Sequence, residues 1–118
     1  MNEAFGSFVR RRREELAKKH HGYSVRGVAK MLEIQPSYIS KIERNEVKPP
    51  SEETIIKMAK VLELDPDILL ALAGRVSLEL RSIIMKRPEL FADLIRQMKD
   101  LPDEAILRVV REVRDGKW

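Results

Sequence analysis

The stretch "EIQPSYISKIERNEVKPPSEE", residues 33–53, decides how the chain is read. Pro36 suits a first helical position, where its missing N–H is not needed, and Gln35 is the boundary before it. "SYISKIERN" continues that helix, and "EVKPP" ends it, because two prolines cannot continue a helix. Ser37, Lys41 and Arg44 recur at i, i+4, i+7 on one face, opposite Ile39 and Ile42. A helix that only filled a core would not need a polar and cationic face of this kind.

The segment just before it supplies a partner helix. Ser24 can cap "VRGVAKML", since its hydroxyl accepts from the free amides of a first turn. "EI" then makes a tight turn. Val28 and Leu32 are spaced i, i+4, and Ile39 and Ile42 are spaced i, i+3, so two apolar faces meet. Ile34 plugs the turn, and the small Ala29 lets the helices cross closely. Together these constraints describe a helix-turn-helix.

Helices are expected on both sides of this pair, and no strand, so the fold class is all-α. Segment 3–19 carries Phe5, Phe8, Val9 and Leu16 at helical spacing, and "HHGY" at 20–23 breaks it. Ser51 caps "EETIIKMAKVLEL", whose acidic first turn suits the helix dipole. Asp65 and Pro66 open a fifth helix, "PDILLALA", and Gly74 is a good stop. Ser77, Pro88 and Pro102 open three more, running to about Lys86, Lys99 and Asp115. The expected division lies near Gly74, giving a domain at 1–74 and a helical extension at 75–118.

Composition narrows the classes. The 118 residues fit one domain, or a small domain with an appendage. Hydrophobic residues are 43% and charged residues 36%, as in a globular chain, and aromatics are only 5%, which leaves aliphatic helices as the building material. There is no cysteine, so disulfides and thiolate metal sites are excluded. No apolar run approaches the ~20 residues of a membrane span. The start "MNEAFGSFVRRRREE" does not read as a secretory signal, so a cytoplasmic location is expected. Residues 1–50 hold eleven Lys/Arg against six Asp/Glu, whereas residues 51–118 hold twelve against thirteen. The excess positive charge of the first half suits a polyanion.

Residues 8–73 resemble a helix-turn-helix domain of the lambda-repressor-like family, the Cro/cI or XRE type. The tract "PSYISKIERNEVKPPSEETIIKMAKVLELDPDILL" follows that family's pattern. The resemblance implies a five-helix DNA-binding domain whose helix at 36–44 enters the major groove. It puts Gln35, Ser37 and Lys41 where such proteins touch base edges; Gln can pair with adenine, and Lys with guanine. Tyr38 and Arg44 fall where backbone or base contacts are common, and Lys48 where a phosphate would lie. Ser24 and Val25 begin the first motif helix, whose amide-rich N-terminus can hold a phosphate. Other readings stand beside these. Gln35 can be only a cap, Tyr38 can be partly core, and Arg44 can cover the helix C-terminus. The family also pairs an arginine before the motif with the glutamate of "ERN", which implies a structural ion pair between Arg13 and Glu43.

The chain departs from the family pattern in four places. Glu33 stands in the turn where the family has glycine in a positive-φ conformation, at a cost of about 1–2 kcal/mol if that conformation is kept. Val25 replaces a DNA-contacting glutamine. Gly27 weakens its helix by about 1 kcal/mol relative to alanine. "LAKKHHGYS" is longer than the usual link, so either the first helix gains a turn or a basic loop protrudes. Lys18, Lys19, His20 and His21 would then touch phosphates or simply be solvated. Adjacent histidines are a poor metal site, and no metal or cofactor is expected.

Two C-terminal stripes need a surface of their own. Leu90, Phe91, Leu94, Ile95 and Met98 form one, and Ile106, Val109, Val110 and Val113 the other. They can fold back on the domain, meet a second protomer or bind another protein; a homodimer matched to palindromic half-sites is favoured. Trp118 packs at that interface or is loose. The expected function is a sequence-specific regulator of transcription, a repressor acting on double-stranded DNA. The alternative is an antitoxin or another protein-interaction module. An enzyme is not expected: no glycine-rich phosphate loop, HExxH or Ser/His/Asp arrangement occurs.

Overall fold

Most of the helices begin after a capping side chain or on a proline, whose missing N–H is not needed there. In the computed structural model, which describes residues 3–118, the order is α1 (Phe5–Ala17), α2 (Val25–Leu32), α3 (Pro36–Glu43), α4 (Glu52–Val61), α5 (Pro66–Leu72), α6 (Leu78–Lys86), α7 (Pro88–Met98) and α8 (Asp103–Asp115). No strand occurs among the described residues. The Ser24 hydroxyl accepts from the Gly27 amide at 3.0 Å, Ser51 from Thr54 at 3.3 Å and Asp65 from Asp67 at 2.8 Å. Proline opens α3, α5 and α7.

Several ends differ from the sequence expectation. The first helix stops at Ala17, so residues 18–23 form a loop and not an added turn. Pro102 stands before α8 as its N-cap residue, not inside it. Helix α3 stops at Glu43 and α4 at Val61, short of the Asn45 and Leu64 expected, because Asn45 and Glu63 take positive φ, +59° and +55°. Glu33 does the same after α2, at +58°. All three turns close alike. The Ile34 amide donates to Ala29 O at 3.0 Å, Glu46 to Lys41 O at 2.9 Å and Leu64 to Ala59 O at 2.8 Å. These are the bonds with which a left-handed residue satisfies the last carbonyls of a helix.

The core lies among the first five helices. Val9, Val28, Ala29, Ile39, Ile42, Ile55, Met58, Leu62, Leu69 and Leu70 are almost fully enclosed. Each large aliphatic side chain so buried stabilises the fold by about 1.5–3 kcal/mol. Helix α1 packs on α3, α2 on α3 and α4, and α4 on α5. Gly27 has a packing reason: a Cβ there would collide with the Gly22 carbonyl of the 18–23 loop. The Tyr23 hydroxyl fastens the same loop by donating to Val61 O at 2.9 Å.

The chain divides into two compact units between Leu78 and Glu79. Within the second unit no residue is buried. Leu90, Leu94, Ile95, Val110 and Val113 are exposed, and Phe91, Met98, Ile106 and Val109 are half-buried. Trp118 is exposed and donates its indole N–H to Val113 O at 2.9 Å.

Candidate nucleic-acid interface

Burial of Ile39 and Ile42 fixes the rotation of α3 about its axis. The other side, with Ser37 and Lys41, is exposed, as are Gln35 before the helix and Arg44 after it. Gln35 occupies the N-cap position, yet its side chain makes no capping bond. Tyr38 is half-buried and packs against the core, so much of its ring is structural. Lys48 is exposed in the segment between α3 and α4. Ser24 is exposed, and although its oxygen accepts from Gly27, its O–H can still donate outward. Val25 is half-buried against the core, leaving its position at the start of α2 as its possible contribution.

Arg44, the C-cap residue of α3, pairs with the acid two positions further on. Its Nε donates to Glu46 Oε1 at 2.8 Å and its Nη2 to Glu46 Oε2 at 3.2 Å. The Arg44 hydrogen bonds hold the Glu46 carboxyl below the usual carboxylate range, and the charge of Lys41 acts in the same direction. Lys41, Arg44 and Glu46 therefore form one electrostatic group. Glu46 was not singled out by sequence; only its place two residues after Arg44 could have pointed to it.

Behind this face stands a set of ties to α1. Arg13 donates from Nε to Glu43 Oε2 at 2.7 Å, from Nη2 to Glu43 Oε1 at 2.9 Å and from Nη1 to Tyr23 O at 3.1 Å. The hydrogen bonds to Glu43 raise the Arg13 pKa further, so the guanidinium stays charged throughout the working range. The two side chains are 11% and 5% exposed, which makes this a buried, two-pronged pair. One position earlier, Arg12 donates to the carbonyls of Leu62 at 2.9 Å and Glu63 at 3.3 Å, closing the end of α4. Asn45 accepts from the Gly6 amide at 2.9 Å and donates to Ser7 Oγ at 3.1 Å. Gly6 permits this, since a Cβ there would strike the Ile42 carbonyl. Sequence reasoning missed both Arg12 and Asn45. The one available signal was Ala4, which precedes α1 and offers no capping side chain.

Arg10, Arg13, Val25, Ser40, Glu43 and Arg44 line an open cleft of about 180 Å³, where α1, the start of α2 and the end of α3 converge. Arg10 is engaged with Glu14 at 2.9 Å on its rim. Lys18, Lys19, His20 and His21 are exposed in the 18–23 loop, where the His20 ring lies 6.2 Å from that of Tyr23.

The helix pair, its buried faces and its exposed polar face define a helix-turn-helix protein. A helix-turn-helix family model matches residues 10–69, just over half of the chain. The chain belongs to that family, in its XRE-type, Cro/cI-like form, a family of DNA-binding transcription regulators. No curated protein and no solved structure matches the chain. No helix among the described residues is long and apolar enough to cross a membrane.

Proposed function

We propose that this chain is a sequence-specific, double-stranded DNA-binding repressor that acts as a homodimer on a palindromic operator. The observation that carries the reading is the exposed side of α3, where Gln35, Ser37 and Lys41 stand clear of the core that anchors Ile39 and Ile42. In this reading α3 enters the major groove. The uncommitted amide of Gln35 suits adenine, Lys41 suits guanine O6 and N7, and Ser37 suits either kind of base. Lys48, the Ser24 hydroxyl and the free amides at the start of α2 take phosphates. Tyr38 adds a contact at the rim.

The second unit supports dimerisation. Helices that bury nothing must gain a core elsewhere, and the exposed apolar stripes of α7 and α8 suit a second copy. A two-fold axis would set two α3 helices about one DNA turn apart, which matches a palindrome. Repression then follows from occupying the promoter, and the chain would work in the cytoplasm. The same stripes also suit a protein partner, such as the toxin bound by an antitoxin.

The test is fluorescence anisotropy with the gene's own upstream DNA and a scrambled duplex, between about 50 and 200 mM salt. Tighter binding to the native duplex, surviving the higher salt and weakened by Lys41→Ala, is expected. Equal binding to both duplexes, erased by salt, would remove that segment as operator and favour the protein-partner reading.

A further inference from the structure

The carboxylate of Glu46 sits among the cations of the candidate DNA face. Two bonds from Arg44, at 2.8 and 3.2 Å, engage both of its oxygens. Its position is set by the backbone. Asn45, at φ +59°, turns the chain back on itself, and the Glu46 amide donates to Lys41 O at 2.9 Å. Asn45 is in turn held by Gly6 and Ser7 of α1. The acid is therefore placed by the fold, on a surface whose partner is a polyanion.

Folding does not account for it. The Arg44 and Glu46 side chains are 53% and 51% exposed, and exposed pairs of this kind contribute little to stability. Phosphate attraction does not account for it either, because a carboxylate beside phosphates opposes binding.

We infer that Glu46 is a specificity-determining residue, which holds the Arg44 guanidinium away from the DNA backbone until the base contacts of α3 fix the register. The inference rests on the DNA-binding reading above. Binding to arbitrary sequence depends on neutralising phosphates, and a closed Arg44–Glu46 pair contributes no net charge to it. At a matching site, Gln35, Ser37 and Lys41 bring the end of α3 close to the duplex, and Arg44 exchanges one Glu46 oxygen for a phosphate oxygen. Glu46 thus lowers binding everywhere, but lowers it most where base contacts are missing.

The experiment compares the wild-type chain with Glu46→Gln on the gene's upstream DNA and on a scrambled duplex, as a function of salt. Glu104→Gln on α8 is the control for an equal change in net charge. Glu46→Gln should raise affinity for the scrambled duplex by at least ~3-fold at low salt and steepen its salt dependence by about 0.9, the slope of one added phosphate contact. Affinity for a preferred duplex should rise less, so discrimination falls. Arg44→Ala should weaken scrambled-duplex binding much more in the Glu46→Gln background than in the wild type. Unchanged binding in Glu46→Gln, or equal effects of Arg44→Ala in both backgrounds, overturns the inference while DNA binding stands. Absence of wild-type binding to any duplex, even at low salt, overturns the DNA-binding reading along with it.

Discussion

The side-chain oxygen of Asn45 accepts the Gly6 amide at 2.9 Å, so the residue that turns the chain out of α3 also caps the start of α1. Gly6 is the second residue of α1, the place where a capping side chain is normally received, and Ala4 has none to offer. Asn45→Ala should cost about 1 kcal/mol for the lost cap and about 1–2 kcal/mol for a left-handed alanine. Asn45→Gly removes the cap but not the backbone freedom, so it should cost only the first part. Urea unfolding of the two variants separates the contributions. A glycine variant as stable as wild type would show that the cap is worth nothing.

Arg13 and Glu43 are bound at 2.7 and 2.9 Å with little water access. Removing one partner leaves a buried charge unmatched, so Arg13→Met or Glu43→Leu alone should destabilise by about 3–5 kcal/mol. The double variant leaves neither charge and should recover most of that loss. Chemical denaturation of all four proteins makes the cycle; strict additivity of the two single losses would refute coupling.

Glu33 and Glu63 both adopt the left-handed conformation that glycine takes without strain. Each glycine replacement should stabilise the fold by about 1 kcal/mol, less the entropy glycine adds to the unfolded chain. The two sites lie at the ends of different helices, so their gains should add. Calorimetric melting of both single variants and the double checks this, and no rise in Tm would mean that the turns are not strained.

If α7 and α8 cover themselves with a second copy, Leu94→Asp should dissociate the chain. Leu94 is exposed at the middle of the α7 stripe, and each lost leucine contact is worth about 1.5–3 kcal/mol, or at least ~10-fold in dimer affinity. Sedimentation equilibrium should show a wild-type dimer and a monomeric variant. A monomeric wild type at high concentration would end the homodimer reading.

Much of the fold was legible because its signals are local. Ser24, Ser51, Asp65 and three prolines mark helix starts within a residue or two of where they occur. The left-handed Glu33 could be read from its place in a pattern where glycine is usual. Signals that span the chain could not be read. Asn45 acts on a residue 39 positions away, and Arg12 on carbonyls about 50 away, and neither spacing leaves a trace in periodicity. For the candidate site, sequence indicated which side of α3 faces outward. It left open whether Gln35 caps its helix and whether Tyr38 is partly core, and it gave no sign that Glu46 pairs with Arg44.

The ties that run back to α1 bear on how portable this motif is. Moved to another scaffold as residues 24–46, the helix pair would carry Glu43 without Arg13 and Asn45 without an amide to receive. It would import a buried charge and an unfilled acceptor together with its reading face. The transferable unit is α1 through α5, since Arg12 also closes α4 and α4 packs on α5. A graft that keeps that span keeps the angle of α3; a shorter graft keeps its letters and loses its aim.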